Sequence, residues 1–254
     1  MHRAFKIKAE NLIEILANQD QIDNTVKNSR MIKLKFQKMI QNSDLSGEEL
    51  NAESIWNEWF PEIKSHVFIS HSGKDAGLAV KFAAWLKREH QLTAFIDSEI
   101  WGHFDSLLKQ LDRDCCLNPE GKTYDYKKRN GSTAHVHMIL SYALTRMIDK
   151  TECFIFLESH NSVTAEQSVK GTYSPWIFHE LATVDTIKPQ ESLRPMPRQK
   201  IANRTVTESF SKKIKYPLLG KRIREIDNVD LRIWNRMAKT FPMIFPLDIL
   251  YELC

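Results

Sequence analysis

Apolar residues recur along this chain at helical spacing first, and a second, strand-like pattern joins them after residue 61. Leu12, Ile15, Leu16 and Ile22 form one helical stripe, and Met31, Ile32, Phe36, Met39 and Ile40 form another. The string Ser-Asp-Leu-Ser-Gly-Glu-Glu at 43–49 reads as a loop capping a third short helix with Leu50, Ile55, Trp56 and Trp59. Residues 1–62 are therefore expected to be a helical extension. The heptad is not sustained, so a coiled coil is not expected.

After Pro61 short apolar runs alternate with helical stripes. Residues 66–70 (His-Val-Phe-Ile-Ser) read as a strand, followed by a helix with Leu78, Phe82, Trp85 and Leu86. Residues 92–96 (Leu-Thr-Ala-Phe-Ile) read as a second strand, followed by a helix with Phe104, Leu107, Leu108 and Leu111. A helix over about 133–149 precedes a buried strand at 153–157 (Cys-Phe-Ile-Phe-Leu), then a loop over 158–173 and a helix from Pro175 to about Ile187. Strand–loop–helix repeats of this kind predict a parallel α/β sheet, in which ligands collect at the carboxyl ends of the strands. Beyond 188 come a proline-rich loop, short strands at 200–206 and 210–216, and a helix over 228–239.

Composition narrows the functional classes only slightly. At 254 residues, 42% hydrophobic and 27% charged, the chain can bury a core of one or two domains. A net charge of +4 is compatible with anionic small molecules and demands none. Lys127-Lys-Arg129 raises nucleic acid as a partner, but no aromatic or basic stripe accompanies it, so nucleic acid is not expected. The cysteines (Cys115, Cys116, Cys153, Cys254) lack C-x-x-C spacing and read as reduced thiols. Neither an apolar leader core nor a membrane-length run occurs, and a cytoplasmic location with no membrane contact is expected. His135 and His137 have no further ligand at metal spacing, so no metal is expected, and no G-x-G-x-x-G string points to a dehydrogenase. Residues 113–132, polar and rich in tyrosine and lysine, read as an insertion that either folds over a ligand or decorates the surface.

The candidate chemistry is concentrated in Ser174-Pro-Trp-Ile-Phe-His-Glu180-Leu181. Ser174 is suited to cap the helix and Pro175 to its first turn. Trp176 and Glu180 then share a helix face. A carboxylate beside an aromatic wall suits a ribose or a cationic sugar; the competing reading is a core tryptophan and a solvated glutamate.

The order of 66–75 (His-Val-Phe-Ile-Ser-His-Ser-Gly-Lys-Asp), Phe95-Ile-Asp97, Phe154-Ile-Phe-Leu157 and Ser174-Pro-Trp176…Glu180-Leu181 resembles a TIR (Toll/interleukin-1 receptor) domain, and the bacterial members more than the animal adaptors. The resemblance covers roughly residues 64–220. It implies a flavodoxin-like parallel sheet of about five strands flanked by helices, with the TIR domain over 63–220, the insertion at about 113–132, and residues 221–254 as a C-terminal helix and tail packed on it. It further implies cleavage of NAD at the nicotinamide–ribose bond, with Glu180 catalytic and NAD as substrate rather than cofactor. The product would be ADP-ribose or a cyclic or conjugated ADP-ribose signal, in a setting of bacterial anti-phage immunity. His71, Ser72 and Lys74 would lie beside the substrate, Lys74 at a phosphate unless it is a solvated loop lysine. Asp97 and Trp101 fall in the loop after the second strand, where Trp101 either stacks on nicotinamide or adenine or packs under the loop. Trp176 would line the pocket. Self-association through TIR domains on activation is implied, with an upstream sensor or downstream effector as further partners. The adaptors' proline-glycine tip is absent from Asp97-Ser-Glu-Ile-Trp-Gly102, which weakens the alternative of a non-catalytic interaction scaffold.

Overall fold

The structure, a computed structural model, describes residues 3–17, 64–96, 108–109, 111–121, 123–166, 169–190 and 216–254, with side chains described outside 164–170. The chain divides into two units, one comprising 1–25, 64–96 and 148–254, the other 26–63 and 97–147.

The first unit is built on strands β1 (Arg3–Lys8), β2 (Val67–Ser70), β3 (Ala94–Ile96) and β4 (Cys153–Glu158), followed by β5 (Thr164–Glu166), β6 (Val169–Thr172), β7 (Tyr216–Pro217) and β8 (Ile223–Ile226). Five of these form a wholly parallel sheet in the order β3-β2-β4-β1-β8. Helices α1 (Ala9–Leu16), α2 (Ala76–His90), α3 (Tyr126–Lys150), α4 (Pro175–Thr186), α5 (Asn228–Thr240) and α6 (Pro246–Leu253) complete the described elements, α3 lying in the second unit except for its last three residues. The α/β class with a five-stranded parallel sheet is as the sequence predicts.

The main correction concerns the amino terminus. Residues 3–8 are a central strand of the sheet and not part of a helical extension. Their pattern has period two: Phe5 and Ile7 are wholly buried, whereas Lys6 and Lys8 point to the other face. Lys6 Nζ there contacts Glu158 on β4 at 3.0 Å and Glu225 on β8 at 3.1 Å, and Lys8 contacts Glu225 at 2.8 Å. This charge ladder lets a strand with two lysines occupy an interior place that usually holds a continuous apolar run. Burial opposes the charge on Lys6, but its bonds to Glu158 and Glu225 outweigh that and raise its pKa. In the flavodoxin-like order 2-1-3-4-5, β2, β3 and β4 fill the first three places in chain order, while β1 fills the fourth and β8 the fifth.

The predicted helix at 9–16 is present, with Leu12 and Leu16 buried; Ile22, the stripe at 31–40 and the helix around 50–59 lie outside the described residues. So do Phe104, Leu107 and the strands expected at 200–206 and 210–215. Residues 221–254 contribute strand β8 as well as two helices, because Ile226 enters the core beside Ile7. The expected loop 158–173 carries β5 and β6, which pair with β7 in a small antiparallel sheet.

The main core joins one face of the sheet (Phe5, Ile7, Val67, Ile69, Ile155, Leu157) to α1, α2, α5 and α6. On the other face Phe95, Phe68 and Phe154 form an aromatic row across three strands, with neighbouring ring centroids 5.3 and 5.6 Å apart. At the end of α2, His90 is 3% exposed and stacks on Trp234 of α5 at 3.9 Å between centroids, with Trp85 edge-on at 4.8 Å. Neither of its ring nitrogens has a hydrogen-bond partner among the described residues, and burial pushes its pKa down to about 4.

In the second unit, the stretch read as an insertion is partly regular. Leu117 bridges Tyr124, and residues 126–132 form the start of α3 rather than a loop. Asp112 holds this turn: its carboxylate accepts from Arg129 Nε at 2.9 Å and from Ser132 Oγ at 3.0 Å, and Arg129 also lies over the Tyr124 ring.

Candidate functional site

In an open parallel sheet the crevice forms where successive strands depart in opposite directions, because the loops there separate. Here β2 is flanked by β3 on one side and β4 on the other, and their carboxyl ends carry Ser70-His71 and Glu158-Ser159.

Helix α4 begins as its sequence dictates. Ser174 is extended, its Oγ accepts from Ile177 N at 3.3 Å, and Pro175 occupies the first turn. That start places Glu180 in the second turn. Its carboxylate Oε2 accepts a hydrogen bond of 2.6 Å from Ser70 Oγ, the last side chain of β2. Both residues are wholly buried. Trp176, one turn earlier on the same face, is half-buried.

The loop after β2 continues through His71, 3% exposed, whose Nδ1 lies 3.4 Å from the Ile69 carbonyl oxygen. Ser72 is half-buried and opens a 3-10 turn, Gly73–Asp75, in which Asp75 N donates to Ser72 O at 2.7 Å. Lys74 is exposed on this turn. Asp75 ties the loop to the one after β4: its Oδ2 accepts from Ser159 Oγ at 2.5 Å and its Oδ1 from Asn161 Nδ2 at 2.7 Å. Ser159 Oγ in turn accepts from Asn161 N at 3.0 Å, and Ser162 Oγ accepts from Ser159 N at 2.8 Å. The loops after β2 and β4 are thus clasped through one carboxylate.

Of the residues expected from sequence, Glu180, Trp176, His71, Ser72 and Lys74 are borne on α4 and the β2 loop; Asp97 and Trp101 lie outside the described residues. The expected solvated alternative for Glu180 is excluded by its burial, while its contact with Ser70 went unpredicted. Sequence reasoning also missed Asp75, Ser159 and Asn161. A signal for Ser70 exists, since it is the one polar residue in the otherwise apolar β2. Ser159 and Asn161 carry none, because loop serines and asparagines at short spacing are common everywhere.

Among the described residues no group of three or more His, Cys, Asp or Glu is arranged to hold a metal ion. No described helix is long and apolar enough to cross a membrane. The four cysteines are free thiols; burial pushes the pKa of Cys153 up, and that of Cys254 up to about 11. No family model, curated protein or solved structure matches the chain.

Proposed function

We propose that this chain is a TIR-type enzyme that breaks the nicotinamide–ribose bond of NAD, with Glu180 as its catalytic carboxylate. The observation that carries this reading is the placement of the Glu180 carboxylate on Ser70 at the carboxyl end of β2, beside the reversal of strand order. Heterolysis of that bond leaves nicotinamide with the bonding pair as a neutral molecule, so no general acid is required. Positive charge develops on the ribose, and one aimed carboxylate stabilises it. Water then adds to the anomeric carbon and loses a proton to solvent, giving ADP-ribose; attack by another nucleophile gives a cyclic or conjugated product. Trp176 would flank the sugar and Lys74 would meet a phosphate, with His71 and Ser72 beside the substrate.

Because Glu180 is wholly buried, turnover requires its carboxylate to be uncovered. That requirement fits an enzyme that is nearly silent alone and active on self-association, as a bacterial antiviral sensor would need. The test is incubation of concentrated protein with NAD, with products resolved by chromatography and mass spectrometry beside Glu180→Gln. Release of nicotinamide that disappears in the variant supports the reading.

The same burial favours a second reading, a non-catalytic TIR-type scaffold in which Glu180 merely ties α4 to β2. In that case neither protein consumes NAD at any concentration, and Glu180→Gln self-associates as the parent does.

A further inference from the structure

We propose that Ser70 is the positioning residue of this site, its hydroxyl holding the Glu180 carboxylate in the one orientation from which it faces the ribose. The inference rests on Glu180 being the catalytic carboxylate. Its physical basis is the placement of Ser70 itself. A hydroxyl at 0% exposure is costly unless bonded, and the positions before it in the strand, Val67, Phe68 and Ile69, are all apolar and equally buried. Its donor goes to Glu180 Oε2 at 2.6 Å, across 110 residues of sequence.

Both ends of that bond are on rigid elements. β2 is hydrogen-bonded on one side to β3 and on the other to β4, where Ser70 pairs with Phe156. α4 is fixed at its start by the Ser174 cap and through its buried Ile177, Leu181 and Val184. A glutamate side chain has three torsions, and pinning one oxygen sets the plane in which the other lies. Charge stabilisation at a developing cation depends on placement to within about half an ångström. The strand therefore supplies an orientation that the helix alone does not. Ser70 touches no reacting atom and acts through Glu180.

The experiment compares full-length Ser70→Ala and Ser70→Thr with the parent in NAD turnover under assembling conditions. Loss of a hydrogen bond to a charged group predicts a fall in kcat of about ten- to a hundredfold, with KM changed less than about twofold, in Ser70→Ala. Ser70→Thr, which keeps the hydroxyl, is expected to recover most of kcat. A kcat unchanged in Ser70→Ala, or a loss confined to KM, overturns the proposal.

A second readout does not depend on turnover. With carboxyl-labelled glutamate, the infrared carboxylate band of Glu180 is identified by its absence in Glu180→Gln. It is expected to shift in Ser70→Ala and to return in Ser70→Thr, and an unshifted band overturns the proposal. If Glu180→Gln still cleaves NAD, the enzymatic reading of Glu180 fails, while the band still reports whether Ser70 orients the carboxylate. Should Ser70→Ala not fold, Ser70→Cys, nearly the same size with a weak donor, is read by the same two criteria.

Discussion

Acid should loosen the packing of α2 on α5 through a single residue, His90. Its imidazole stacks on Trp234 at 3.9 Å and is 3% exposed, so the neutral ring fits and the charged ring does not. The charges that act on it are Glu89 beside it on α2, which favours protonation, and Lys239 on α5, which opposes it; burial exceeds both. With a pKa of about 4 in the fold against 6.5 for the free side chain, the unfolded chain takes up the proton first. Stability from this residue is therefore complete above pH 6.5 and is lost as pH falls from there toward 4. Between pH 7.5 and 4.5 linkage gives a loss of about 2.5 kcal/mol. His90→Phe keeps an aromatic ring against Trp234 and removes the titration. Urea unfolding followed by circular dichroism, for both proteins at several pH values in that range, gives the difference directly. Glu89 and Glu225, whose pKa values are lowered by their lysine partners, lose their contributions below about pH 4.5 and do so in both proteins. Parallel stability curves for parent and variant would refute the argument, because they would mean that His90 is charged or solvated in the folded state.

Two other changes probe the frame of the sheet. Lys6→Met removes two of the three ion pairs of β1, those that Lys6 makes with the nearly buried Glu158 and with Glu225, and leaves Lys8 on Glu225. The expected cost is about 1–3 kcal/mol in denaturant unfolding, and adding Glu158→Gln should recover part of it; no recovery would place the cost in packing rather than charge. Asp75→Ala unties the loops after β2 and β4 by deleting two hydrogen bonds to a carboxylate, at an expected cost of about 2–3 kcal/mol. Amide exchange at Asn161 and Ser162, whose N–H groups point to Ser159 Oγ, should speed up in that variant, and unchanged exchange would show the loop to be held by other contacts.

The parts of the fold that were legible in the sequence are those in which local pattern and tertiary role agree. Val67 to Ile69 and Cys153 to Leu157 are apolar throughout because both faces of a parallel strand are covered, and they read as strands. Ser174-Pro175 announced the start of α4 because capping is a local event. β1 was missed because its lysines make it look like a surface segment; their partners, Glu158 and Glu225, are remote in sequence and no local rule pairs them. The period-two alternation of Ala4 to Lys8 was the available signal. At the site, the placement of Glu180 on a capped helix one turn after Trp176 was legible from the local pattern. Its burial and its bond to Ser70 were not, since both depend on where the helix lands on the sheet.

β1 is paired with strands made much later. β1 has no sheet neighbour until β4 leaves the ribosome, and its other edge stays open until β8 follows. During synthesis its phenylalanine and isoleucine must be kept from other unpaired edges, and ordered pairing must wait until β8 is made. Such long-range closure slows folding and lengthens exposure to aggregation. The biogenesis of this protein is thus expected to lean on chaperones that shield the nascent β1, and ribosome stalling between β4 and β8 should leave the sheet open along the edge of β1.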